Sequence, residues 1–359
     1  MKIIVCITVA VMLLSVGVLA ADEFSLDELI ENAPSEVNEN VANAKDAKNL
    51  LNITEIINFI TGNIITSIKE NIGLVCSMVG VMIIMGVFDI MQDSFSNTNT
   101  SKIADFACTS LIAVLVCSPL AKVIEEIVLA VTDTASYIQL SVPVFAGILT
   151  AQGNVTSASI FNLLLYNGAA IIAKLFSSLA MPLCGTYMAV GIAASVSGNS
   201  GIGAITAGVK NVVNKIIVAV STLFTGLLSL QNLLGRSGDM LSKKALKMAV
   251  GSALPVGGSV LSESVDAFWE SLSIIKSAGG VIAIAAIFYL IAVPVIKALV
   301  GNICIRLCVF IGNIVGSSRA GTLLNVVADA YSMILTAAFA VMVILTISVG
   351  VLISAGGAV

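Results

Sequence analysis

The 359-residue chain is 58% hydrophobic and only 11% charged, and it contains no histidine. A soluble domain carries about a quarter charged residues; this chain has too few to coat a water-facing surface, so lipid must be part of its solvent. Residues 21–70 hold ten acids against three lysines, whereas residues 71–359 hold thirteen Lys/Arg against eleven acids. An acidic N-terminal segment is thus set apart from an apolar remainder. With no basic stripe bearing aromatics, nothing here fits nucleic acid.

In chain order, Lys2 precedes an apolar run from Ile3 to Ala20 that ends in small residues. This pattern predicts a secretory signal over residues 1–20. The segment 21–70 then reads as an acidic, extracytoplasmic helical piece. Ser25-Leu26-Asp27-Glu28 fits a capping box. Leu50, Ile53, Ile57, Ile60, Ile64 and Ile68 recur at helical spacing on one face.

Residues 71–359 read as a multi-span membrane domain. The first span is expected at Ile72–Met91 and the second at Ile103–Leu120, closed by Lys122, Glu125 and Glu126. Ile127–Ala151 contains Asp133 and Pro143 and suits either a span or a re-entrant piece. Ser157–Val196 holds enough apolar residues for one long span or two short ones, and Ile216–Leu234 forms another. The interval 236–276 reads as an amphipathic hairpin. Its basic arm carries Arg236, Lys243, Lys244 and Lys247, its turn is Leu254-Pro255-Val256-Gly257-Gly258, and its other arm carries Glu263, Asp266 and Glu270 on one face. The basic arm is expected on the cytoplasmic side. Gly280–Val300, Ile303–Val315 and Ser332–Ala355 complete a set of roughly six to eight membrane segments. The fold class is therefore all-α, a polytopic helical membrane protein.

No cofactor or metal site is expected. Without histidine, Ser–His and Cys–His catalysis and His-metal sites are excluded. The seven cysteines lie in or beside apolar runs and suit packing. Gly203 and Gly208 have the spacing of a phosphate-binding loop, but Val209 intervenes before Lys210, and Asn211 stands where a hydroxyl should follow. No enzyme active site is expected. Ionisable groups inside membrane segments are the functional pointers. Lys174, Arg306, Asp133 and Lys297 are the candidates, and each suits a polar pathway, helix packing by ion pairs, or snorkelling to headgroups. Glu263, Asp266 and Glu270 suit a solvated face, pairing with Lys243 or Lys247, or a hard cation.

Leu230-Gln231, Lys243-Lys244-Ala245-Leu246-Lys247, Leu254-Pro255-Val256-Gly257-Gly258 and Asp266, in that order, resemble the stage III sporulation protein AE family. Ala292-Val293-Pro294-Val295-Ile296-Lys297 and the Ala/Gly-rich tail extend the likeness over roughly 200–359. The turn has one residue fewer between Pro255 and the glycine pair than the family pattern. The resemblance implies a subunit of a channel or secretion-like complex linking mother cell and forespore in endospore-forming bacteria, sited in the mother-cell membrane around the spore. It also implies partners: ring-forming membrane proteins, a cytoplasmic ATPase and a forespore-side protein. The AE member resembles a permease and is suspected to form the conduit or its base. The residues leave open an autonomous small-molecule permease, a structural anchor that recruits others through its stripe at 50–68, and self-association into a homo-oligomer.

Overall fold

Backbone amides in hydrocarbon have no water to bond, so a chain this apolar must satisfy them within its own helices. The computed structural model describes residues 53–94, 98–197, 207–227, 258–315 and 318–354, and among these everything outside one short turn at 152–154 is helical. The helices are α1 (Ile53–Ser94), α2 (Thr98–Ala151), α3 (Val155–Leu175), α4 (Met181–Ser197), α5 (Ala207–Leu227), α6 (Gly258–Val315) and α7 (Ser318–Ser354). Among the described residues six helical runs are long and apolar enough to cross a membrane, α3 and α4 counting as one.

Several elements expected to be separate are continuous. The stripe ending at Ile68 and the span beginning at Ile72 are both part of α1, because Lys69 and Glu70 lie on its exposed face and nothing there breaks a helix. The second span and Ile127–Ala151 merge into α2, which keeps Pro119 and Pro143 inside it. The acidic arm of the expected hairpin runs without interruption into the next two apolar blocks as α6, with Pro294 inside. Prolines survive inside membrane helices because neighbouring groups re-satisfy the freed carbonyls. Between α3 and α4 lies a π-helical turn, Phe176–Ala180, where Met181 N–H donates to Phe176 O. Pro182 explains it: a proline ring clashes with the carbonyl four residues back, here Ser178, and the wider turn relieves that clash. The span expected from Ile216 begins earlier, at Ala207.

Side-chain contacts fix how the helices run. Asn302 meets Ala328 and Ser332, Gly301 meets Tyr331, and Gly280 meets Ile353. Residue numbers rise on α6 as they fall on α7, so the two form a long antiparallel pair. Phe59 stacks edge-on against Tyr289, and Gly86 packs on Val315. Here both numbers rise together, so α1 lies parallel to α6. The α2–α3 turn, with Gly153 at φ 77°, folds these two helices back on each other, and Gln139 Nε2 donates to Tyr166 O across them at 3.2 Å. The apolar core runs through α6 and α7. In the most apolar stretch of α6, 78% of residues are buried, against 11% in α5, which lies at the edge.

The expected signal 1–20 and the acidic residues 21–52 lie outside the described residues, as do Lys243, Lys247, Pro255 and Gly257.

Candidate functional site

One short stretch of α7 gathers side-chain bonds from three other helices. Asp329 is reached from two other helices. Lys210 Nζ, from α5, lies 2.8 Å from its Oδ2, and the Tyr187 hydroxyl, from α4, donates to the same oxygen at 3.4 Å. The lysine and aspartate side chains retain 37% and 36% of their exposure, which places the pair at the edge of the bundle. One turn along α4 from Tyr187, Gly191 lets that helix press against Val326, about one turn from Asp329. Close approach at a glycine thus sets the distance over which Tyr187 can bond.

The next turn of α7 presents Ser332 to α6. Asn302, 7% exposed, donates through Nδ2 to Ala328 O at 3.1 Å and to Ser332 Oγ at 2.8 Å. Arg306 donates through Nε to Asn302 Oδ1 at 2.7 Å and through Nη2 to Ser332 Oγ at 3.1 Å. Ser332 in turn donates to Ala328 O at 2.9 Å. A hydroxyl has one hydrogen and two lone pairs, and Ser332 uses all three. Both amide hydrogens of Asn302 are also used, as is its oxygen. In an apolar interior an unpaired group of this kind would cost the full desolvation penalty, and here none is left over at either residue.

Farther back on α6, Lys297 Nζ meets the Glu126 carboxylate of α2 at 3.1 and 3.2 Å. These side chains keep 29% and 41% of their exposure. Three polar links therefore tie α2, α4, α5, α6 and α7 together inside a membrane domain. Two of them neutralise a charge, Lys210 on Asp329 and Lys297 on Glu126, and the third registers α6 on α7 through neutral partners of Arg306.

Of the residues singled out in the sequence, the structure brings Lys297 and Arg306 into these links. Lys174, in the last turn of α3, and Asp133, on α2, are exposed and join neither. Gly258 is the first residue of α6, and Glu263, Asp266 and Glu270 follow on its helical backbone. Asp329, Lys210, Tyr187, Asn302 and Ser332 were not among the expected site residues. A usable signal existed for two of them. Lys210 and Asp329 each interrupt an apolar stretch, and an intramembrane charge calls for a partner of opposite sign.

Comparison with known proteins follows the same lines as the architecture. The family model described as Stage III sporulation protein AE matches residues 35–356. The stage III sporulation protein AE of Bacillus subtilis (strain 168) is 22% identical over 286 residues, covering 78% of this chain and 71% of its own length. No solved structure matches.

Proposed function

Because the chain belongs to the stage III sporulation protein AE family, we propose that it is the polytopic membrane subunit of a channel or secretion-like complex linking mother cell and forespore, required for endospore development. The observation that carries this reading is the family match across nearly all of the apolar region, residues 35–356, together with six helical runs among the described residues that are fit to cross a membrane. In this reading the subunit sits in the mother-cell membrane surrounding the forespore. Ring-forming membrane proteins are its neighbours, and a cytoplasmic ATPase supplies energy that this chain has no nucleotide-binding loop to obtain.

The polar links of α7 support a packing role within that assembly. The Asn302 amide, the Ser332 hydroxyl and the carboxylates of Asp329 and Glu126 are spent on partners within the chain.

Deletion in the native organism tests the proposal. Engulfment is expected to finish while a late forespore reporter stays silent and heat-resistant spores fall sharply, with full-length chain restoring both. Normal sporulation would overturn it. Transport of a small solute by the purified chain alone in proteoliposomes would instead favour an autonomous permease. Topology gives an independent prediction. Single cysteines placed at Lys243 or Lys247 should resist a membrane-impermeant thiol reagent in intact cells and react after permeabilisation, since basic segments stay cytoplasmic. Labelling from outside would reverse the assigned orientation.

A further inference from the structure

The large apolar side chains that α6 exposes fall on one stripe. Among its described side chains these are Ile303, Leu307, Phe310 and Ile314, between 44% and 70% exposed. Their steps of four, three and four residues keep them on one helical face. The stretch of α6 from Gly279 to Asn302 exposes no large apolar side chain. Lipid alone could cover such a stripe, but Arg306 lies within it.

Arg306 is exposed, and it stands three residues after Ile303 and four before Phe310. It lies nine residues before the end of α6, about 13 Å along the axis, so its level is well inside the apolar run. Its bonds to Asn302 and Ser332 draw the guanidinium toward α7 and hold it in one orientation. A guanidinium has five N–H donors, and these bonds use two of them. Among the described residues no carboxylate lies within ion-pair distance of it, while Asp329 and Glu126 are already taken by Lys210 and Lys297. Hydrocarbon cannot satisfy the remaining donors, and the planar group that matches their fork is a carboxylate.

We propose that this stripe docks a membrane-spanning helix of a partner subunit, with an Asp or Glu of that helix opposite Arg306. Ile303, Leu307, Phe310 and Ile314 supply the apolar seam, and the fixed guanidinium sets register and partner choice. The proposal rests on the reading that the chain works within an assembly, but its test is scored without reference to spore formation.

The test places a photo-reactive benzoylphenylalanine at Phe310 of the full-length chain in sporulating cells and sequences the crosslinked peptide. The expected peptide comes from an apolar helix of a different protein and contains Asp or Glu. Arg306→Leu should lower the yield about tenfold, matching the ~1–2 kcal/mol of a polar contact between membrane helices. Arg306→Lys, which keeps the charge but not the fork, should fall between the original and Arg306→Leu, and charge reversal separates lost docking from lost folding. A lysine replacing the identified carboxylate should restore the crosslink to Arg306→Glu. Adducts to lipid only would overturn the proposal, as would a peptide from a second copy of this chain, a partner segment without a carboxylate, or a yield indifferent to Arg306→Leu.

Discussion

Replacing Asp329 with alanine is expected to destabilise the membrane domain by about 1–3 kcal/mol and to abolish complementation of a deletion strain. Removing one partner of a fully buried ion pair costs ~3–5 kcal/mol, and exposed pairs are worth ~0–1 kcal/mol. The Lys210–Asp329 pair, about a third exposed on each side, falls between these limits. Asp329 also accepts from Tyr187, so its loss releases α4 and α5 together. Lys210→Met should be milder, because the carboxylate keeps its tyrosine donor. Tyr187→Phe should be milder still, since it removes only the 3.4 Å bond. The reversed pair, Lys210→Asp with Asp329→Lys, should recover part of the loss. Thermal unfolding in detergent, read beside spore counts, checks the order. Equal loss in all three single variants, or none, would refute a hub at Asp329.

The spans were legible in the sequence because hydropathy reports the solvent that a helix faces, and runs such as Ile72–Met91 exceed what a soluble surface tolerates. Helix ends were not legible. Lys69 and Glu70 mark a change of environment on α1, yet neither stops a helix, and the backbone continues from Ile53 to Ser94. The same holds at Gly301 and Asn302, where two expected blocks are one continuous helix. The links inside the bundle escaped for a different reason. Lys210 and Asp329 lie 119 residues apart, and Lys297 and Glu126 lie 171 apart. Local periodicity places a charge on a face but carries no information about which distant helix brings its partner. Lys297 could be singled out as an intramembrane cation, whereas Glu126 read only as a charge closing a span. Asn302 and Ser332 are neutral, so neither calls for a partner of opposite sign, and nothing local says which distant helix completes their bonds.

The links share one mechanical consequence. α5 has little buried surface of its own, so packing holds it less firmly than the central helices. The described contacts that seat it include Lys210 on Asp329 near one end, Val213 in the apolar core, and Phe224 against Gly168 toward the other end. α6 is in the opposite situation, buried along most of its apolar length, and its polar contacts fix register more than they add cohesion. An intramembrane charge therefore has different leverage on the two helices: at α5 it decides attachment, at α6 it decides alignment.

Gly191→Leu is expected to be the most damaging single change on α4, costing about 2–4 kcal/mol. A side chain placed there would run into Val326, whose branched carbon is fixed to the backbone of α7 and cannot swing aside. Valine has one strongly preferred rotamer in a helix, so the helices themselves must separate, and overpacking of this kind costs ~1–3 kcal/mol before any lost bond is counted. Separation at Gly191 also draws Tyr187 away from Asp329, one turn along, and loosens the hub described above. Val326→Ala should partly rescue Gly191→Leu by opening the space into which the leucine points, while reducing stability slightly when made alone. Melting temperatures of the four proteins in this double-mutant cycle measure the coupling. Additive effects would mean that α4 and α7 do not meet at Gly191, and that the tyrosine of α4 reaches Asp329 without the support of that contact.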